Sequence, residues 1–254
     1  MRKLLIAILI FIPLVIFGIL ILKNKNTNPQ KSNAQIPSPT PVAQNNSAEI
    51  NNYTFSWYQI ININNLKLIP NFSQKLSSKD VIDQNSCMFL ANGPFYGTNN
   101  QPLGLIITNG NTISDYENNN LLNGVLSVND FATPRITQNL PQDHLQIAVQ
   151  TGPIIKENNS YDSLQITNDK NSRRVLAAVD GNNNLYFLVI YDKDSEFSGP
   201  FLNDVPSLLN QFEQKENINF ADIINLDGGS ASVFITRNFD LTEFNPVGAF
   251  FCQS

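Results

Sequence analysis

Histidine occurs once in 254 residues, at His144, and cysteine only twice, at Cys87 and Cys252. That inventory excludes a zinc site built from several His or Cys ligands. A serine–histidine–aspartate triad would have to use His144, yet Pro141-Gln142-Asp143-His144 contains no nucleophile elbow. A solvated loop histidine is the expected reading. Charge is scarce too: 15% of residues are Asp, Glu, Lys or Arg, and the formal net charge is −5. The globular part has no cluster of Lys and Arg, which argues against nucleic acid, because affinity for a phosphate backbone needs grouped cations. No internal repeats are visible. The N-terminal region offers no cysteine for lipid attachment and no small-residue cleavage site next to its apolar run. The two cysteines can pair outside the cytoplasm or stay apart, and the sequence leaves both open.

What is present begins with an apolar run from Leu4 to Leu22, preceded by Arg2 and Lys3 and followed by Lys23 and Lys25. A run of about 20 apolar residues spans a hydrocarbon core as a helix. The flank Leu22-Lys23-Asn24-Lys25-Asn26 is wrong for cleavage, and the nearest small-x-small triplet, Ser32-Asn33-Ala34, lies too far downstream. A transmembrane signal anchor is expected over residues 1–23. Residues 24–50 are dominated by Asn, Gln, Pro, Ser and Thr, including Ile36-Pro37-Ser38-Pro39-Thr40-Pro41. Such a segment buries too little apolar surface to fold and reads as a flexible stalk. Basic residues flank both ends of the run, so orientation is read from the stalk: an extracytoplasmic domain on a single-pass anchor. Residues 51–254, roughly 200, suffice for one domain with a sizeable core.

Within the domain, Tyr53 to Ile63 is rich in aromatic and β-branched residues and reads as a strand. Ser77-Ser78-Lys79-Asp80 has capping-box spacing and opens a short helix to about Asn85. Further strands are expected at Cys87–Ala91, Val125–Asn129, Leu145–Gln150, Asp222–Leu226, Val233–Thr236 and Val247–Cys252. Hairpins are expected around Asn109-Gly110 and Asp180-Gly181. One longer helix runs from about Val205 to Lys215, with Asp204 as N-cap and Pro206 in its first turn. Strands outnumber helices without regular alternation. The fold class is therefore α+β, with a mixed or antiparallel sheet core and a few helices.

Several strands end in small, turn-forming residues: Asn92-Gly93-Pro94-Phe95-Tyr96, Gln150-Thr151-Gly152-Pro153, and Asn225-Leu226-Asp227-Gly228-Gly229-Ser230-Ala231-Ser232. Glycine permits close backbone approach, and successive N–H groups in such turns can bind an anion. Taken with Arg174-Val175-Leu176-Ala177-Ala178, the ordered set resembles the phosphodiester glycosidase family from about Ser77 to the C-terminus. The family pattern has a third glycine and a serine pair where this chain has Ser230-Ala231-Ser232. It usually has Thr-Ala-Ile-Gly after the arginine, where this chain has Val175-Leu176-Ala177-Ala178. Arg174 aligns best with the family arginine, with Arg173 as the alternative.

The resemblance implies a hydrolase that cleaves a sugar-1-phosphodiester and releases sugar and a phosphomonoester. It implies catalytic roles for Asp227, Asn92 and Arg174, and substrate binding by Gly93, Thr151, Gly152, Gly228, Gly229, Ser230 and Ser232. The chemistry is coherent. An arginine presents a planar fork to two phosphate oxygens, and turn N–H groups and hydroxyls can take the remaining lone pairs. Phosphate is a good leaving group, so a strong general acid is less necessary than in ordinary glycoside hydrolysis. Asp227 would act as nucleophile, base or stabiliser of an oxocarbenium-like transition state. Asn92 would bond a sugar hydroxyl or orient Asp227. Asp180 fits a hairpin turn, and Phe95 and Tyr96 either line the sugar pocket or pack in the core. No cofactor is expected. Asp227 and nearby carbonyls could serve calcium or magnesium, although nothing in the spacing requires a metal. The expected partners are a sugar-phosphate glycoconjugate or cell-surface polysaccharide and, through the N-terminal helix, a membrane. A non-catalytic carbohydrate- or phosphate-binding module is the alternative from another class.

Overall fold

The computed structural model describes residues 46–254; the expected anchor, and the expected stalk as far as residue 45, lie outside the described residues. The described chain opens with β1 (Asn46–Ile50), β2 (Tyr53–Gln59), β3 (Leu66–Pro70), helix α1 (Ser78–Asn85) and β4 (Phe89–Asn92). There follow β5 (Ile106–Thr108), β6 (Asn111–Ser114), β7 (Gly124–Asn129), β8 (Pro134–Thr137), β9 (Leu145–Thr151), β10 (Ile154–Glu157) and β11 (Ser160–Tyr161). The remainder holds β12 (Arg174–Asp180), β13 (Leu185–Asp192), helix α2 (Val205–Glu216), β14 (Phe220–Asn225), β15 (Phe234–Thr236), β16 (Phe239–Leu241) and β17 (Ala249–Gln253).

These strands form three sheets. One has seven strands, in the order β1-β2-β13-β12-β14-β10-β11. Two have five, β16-β15-β4-β17-β3 and β6-β5-β9-β7-β8. Every pairing among the described residues is antiparallel. Of the two sheet types left open by the sequence, the antiparallel one is therefore observed.

β12 shows why its sequence is almost continuously apolar. Val175, Ala177 and Val179 join Tyr58, Phe89, Phe187 and Phe251 in the main core between the sheets. Leu176 and Ala178 face the other way, toward Leu208, Leu209 and Phe212 of α2. A strand buried on both faces loses the polar half of its alternation. Helix α1 covers a third cluster, packing Val81 on Leu90, Phe250 and Cys252.

Local chemistry places the turns. Asn109 and Gly110 both take positive φ, 50° and 74°, as a two-residue hairpin between β5 and β6 requires. The Asp180 carboxylate accepts from the backbone N–H groups of Asn182 and Asn184, closing the β12–β13 hairpin. Ser77 caps α1 reciprocally with Asp80. Cys87 and Cys252 are joined by a disulfide with Cα atoms 5.5 Å apart, tying the approach to β4 onto β17.

Three expectations need correction. The stalk was to reach residue 50, but residues 46–50 are β1, which pairs along β2 and buries Ala48 and Ile50. The strand expected from Tyr53 to Ile63 stops at Gln59, because Asn62 accepts from the Asn64 N–H and turns the chain into a short 3-10 segment. Asp204 makes no capping hydrogen bond to α2, since it belongs to the 3-10 turn Leu202–Asp204 that runs into the helix.

Candidate active site

The register of the seven-stranded sheet brings two distant motifs together. Leu176 pairs with Asn225, and the Leu226 N–H donates to the Val175 carbonyl at 2.9 Å. One step further, Arg174 and Asp227 stand at the same end of neighbouring strands. Alternation gives both the face that carries Asn225. They line a cavity of about 450 Å³ together with Asn225, Gly152, Gly228 and Phe95.

Asp227 sits just beyond β14, where Gly228 donates its N–H to Oδ1 at 2.8 Å. Burial pushes the carboxyl up to about 7, with the Gly228 bond pulling the other way. No cation pairs with it among the described residues. Arg174 instead pairs with Asp169 at 3.1 Å, and its Nε donates to the Pro200 carbonyl at 3.1 Å. Asp169 is pushed up by burial, but hydrogen bonds from the Asn203 and Leu202 backbone and the Arg174 charge outweigh this and lower it. Arg174 therefore neutralises Asp169 rather than Asp227. Its Nη1 has no hydrogen-bond partner among the described residues.

The adjacent arginine does different work. Arg173 is 1% exposed. Its Nε donates to the Ser232 hydroxyl at 2.8 Å, and its two terminal nitrogens reach the carbonyls of Glu196, Ser232 and Thr242. This arginine clamps three loops behind the cavity, whereas Arg174 faces into it.

The other predicted residues divide between lining and support. Asn92 is fully buried: Nδ2 donates to the Asp227 carbonyl at 2.7 Å, and Oδ1 accepts from the Val233 N–H at 3.0 Å. It fixes the backbone that bears Asp227, and its burial closes off contact with a sugar hydroxyl. Gly93 is buried between that loop and β17, donating its N–H to Ala249 at 2.7 Å. Thr151 is buried, and its hydroxyl donates to the Asn225 carbonyl at 2.8 Å. Gly152 lines the cavity at a point where a Cβ would run into the Leu121 carbonyl.

Three N–H groups of the turn expected to form an anion nest are engaged within the protein. Gly228 donates to Asp227, Gly229 to the Arg173 carbonyl at 2.8 Å, and Ser232 to the Gly229 carbonyl at 3.4 Å. Ser232 is buried beneath the loop, and Ser230 is exposed, accepting from the Asn245 side chain at 2.7 Å. Gly93, Thr151, Gly229, Ser230 and Ser232 are thus not among the cavity-lining residues. Phe95 lines it, whereas Tyr96 does not and donates its hydroxyl to the Pro246 carbonyl.

Asn225 and the segment Asp169, Lys170 and Ser172 also line the cavity and were not predicted as site residues. Asn225 donates from Nδ2 to the Gly152 carbonyl at 3.0 Å, while its buried Oδ1 lacks a partner among the described residues. Its position at the end of β14, two residues before Asp227, was a usable signal. The 169–172 segment is an irregular loop and carries no periodicity. The apolar part of the lining is formed by Leu103, Leu121, Leu122, Ile166 and Leu202.

A family model described as phosphodiester glycosidase matches residues 85–250. No curated protein matches the chain. Among solved structures, the catalytic domain of zebrafish N-acetylglucosamine-1-phosphodiester alpha-N-acetylglucosaminidase, auto-inhibited by its pro-peptide, is similar at TM-score 0.67 and 15% identity, covering 85% of this chain and 84% of that one. A hypothetical protein from Synechocystis is similar at TM-score 0.60 and 13% identity, covering 83% and 62%. An exported protein from Burkholderia pseudomallei K96243 is similar at TM-score 0.56 and 9% identity, covering 79% and 74%. At these identities the solved structures establish a shared fold.

Proposed function

This chain belongs to the phosphodiester glycosidase family, and on that premise we propose that it hydrolyses a sugar-1-phosphodiester, releasing free sugar and a phosphomonoester. The observation that carries the reading is one cavity holding an unpaired carboxyl with a pKa near neutrality and an arginine with an unused donor. The zebrafish protein of similar fold is named for a reaction of this kind. Arg174, with the Ser172 hydroxyl and Lys170 beside it on the cavity wall, binds the phosphodiester oxygens. These side chains supply donors beside a turn whose Gly228, Gly229 and Ser232 N–H groups the protein already uses. Asp227, near half-protonation at neutral pH, exchanges the proton that moves as water replaces phosphate at the anomeric carbon. Asn92 and Arg173 hold the backbone that carries Asp227. They act as positioning residues.

The substrate in this proposal is a surface polysaccharide or other glycoconjugate, reached by a domain held outside the cell on the N-terminal anchor. The test is free-sugar release from a panel of sugar-1-phosphodiesters, including nucleotide sugars. Wild type is compared with Asp227→Asn and Arg174→Ala after all three are shown to be folded. Release that Asp227→Asn abolishes supports the hydrolase. A folded wild-type protein that releases nothing from the panel contradicts it and favours a binding module.

A further inference from the structure

Phe197 and Phe244 are 65% and 78% exposed, yet they touch edge to face with ring centroids 6.3 Å apart. A lone exposed aromatic needs no explanation, but a contacting pair is an apolar surface kept in water at a solvation cost. Both loops are pinned. The Phe244 N–H donates to the Ser230 carbonyl at 2.7 Å, and the Asn245 side chain reaches the Ser230 hydroxyl. Arg173 holds the carbonyl of Glu196, next to Phe197, at 3.2 Å and that of Thr242 at 2.8 Å. The Arg173 carbonyl also accepts the Gly229 N–H. One buried guanidinium therefore sets both aromatic loops relative to the loop bearing Asp227.

The loops that carry the pair adjoin segments that line the cavity. Ser230, which holds the Phe244 loop, lies in the same turn as the cavity residues Asp227 and Gly228. Gly199 packs so closely on the cavity residue Ser172 that a Cβ there would collide with the Ser172 carbonyl.

We propose that Phe197 and Phe244 form a sugar-stacking platform beside the cavity, receiving a neutral pyranose ring of the glycan chain whose phosphodiester lies at Asp227. The placement at Asp227 rests on the hydrolase reading. Pyranose C–H groups carry partial positive charge and pack on the electron-rich faces of aromatic rings. Local charge selects this occupant. Asp192, Asp194 and Glu196 precede Phe197, with Lys193 the one cation in that short segment, whereas the Glu243 carboxylate before Phe244 turns inward and accepts the Ser78 N–H. An anionic lipid surface or acidic glycan meets like charge there.

The test uses the whole chain in detergent micelles and a Phe197→Ala/Phe244→Ala double variant, whose melting temperature should be unchanged because both side chains are exposed. In saturation-transfer NMR, the neutral probes maltotetraose and cellotetraose should bind wild type and lose about tenfold in affinity in the variant, the scale of one or two stacking contacts. A sugar-1-phosphodiester esterified to a tetrasaccharide should show a KM about tenfold below that of its methyl ester. The variant should erase that difference and leave methyl-ester kcat and KM unchanged. Turnover of both esters with equal KM and no tetrasaccharide binding overturns the platform and leaves the hydrolase standing. Turnover of neither, with tetrasaccharide binding lost in the variant, overturns the hydrolase and supports the platform. Attachment to anionic vesicles that the variant loses, without tetrasaccharide binding, overturns it in favour of a membrane-facing patch.

Discussion

Replacing Asp227 by asparagine should stabilise the fold by an amount that depends on pH. An aspartate in an unfolded chain titrates near 3.9, and burial raises Asp227 to about 7 in the folded protein. Because the folded value is the higher one, the folded state holds this proton more tightly, and the charged form opposes folding. Below about pH 4 the carboxyl is protonated in both states and the penalty is absent. As pH rises from about 4 to 7, the unfolded state ionises first and stability falls by about 1.4 kcal/mol per unit. Three units give on the order of 4 kcal/mol, and solvent reaching the half-buried residue trims this to about 2–4 kcal/mol. The asparagine keeps an Oδ1 acceptor for the Gly228 N–H, so charge is the main thing removed. Urea unfolding of residues 43–254, a compact unit in its own right, should show a gain under about 1 kcal/mol at pH 4.5 and about 2–4 kcal/mol at pH 8.5. An equal gain at both pH values, or a loss at pH 8.5, refutes the reasoning.

Other predictions separate residues that look alike in sequence. Arg173→Ala should cost about 3–5 kcal/mol in denaturant unfolding, because it strands the buried acceptors the guanidinium now holds. Arg174→Ala should cost less stability but raise the KM for a phosphodiester by about 30-fold, the scale of one or two charge-assisted hydrogen bonds. Binding an anion beside Asp227 favours its protonated form, so KM should rise as pH climbs through about 7; a KM flat from pH 5.5 to 8.5 would contradict this. Lys156 and Glu213 form a buried ion pair at 2.9 Å, joined by the Tyr161 hydroxyl. Glu213→Ala should therefore destabilise by about 3–5 kcal/mol in the same unfolding assay. Reducing Cys87–Cys252, which closes a loop with a separation of 165 residues, should lower stability by about 2–5 kcal/mol.

Features fixed by local chemistry were the legible ones. The Asn109-Gly110 turn, the Ser77–Asp80 cap and the Asp180 hairpin all follow from side chains within a few residues of the backbone they organise. Short strands such as β11 and β16 were not legible, because partners elsewhere in the chain hold them in place. Ser160 and Tyr161 become a strand by pairing with Glu157 and Lys156. In the cavity, the position of Asp227 could be read from its turn, whereas for Asn92 the sequence left two roles open, bonding a sugar hydroxyl or orienting Asp227. Its bond to the Asp227 carbonyl crosses 135 residues. At the start of β12, Arg173 and Arg174 point in opposite directions, one into the loops behind the cavity and the other into it. Which direction holds the cavity becomes known only once the Asp169–Ser172 segment and the strand carrying Asn225 have packed around it. The glycines suggested an anion nest because sequence shows where N–H groups can point, not which carbonyls already accept them.

The most direct test of the central claim is to run the hydrolysis in ¹⁸O-water and locate the label by mass spectrometry. Glycosidase chemistry at the Asp227 cavity predicts ¹⁸O in the anomeric hydroxyl of the released sugar and unlabelled phosphomonoester. Label in the phosphate would mean that water attacks phosphorus, and the protein would then be a phosphodiesterase that happens to release a sugar.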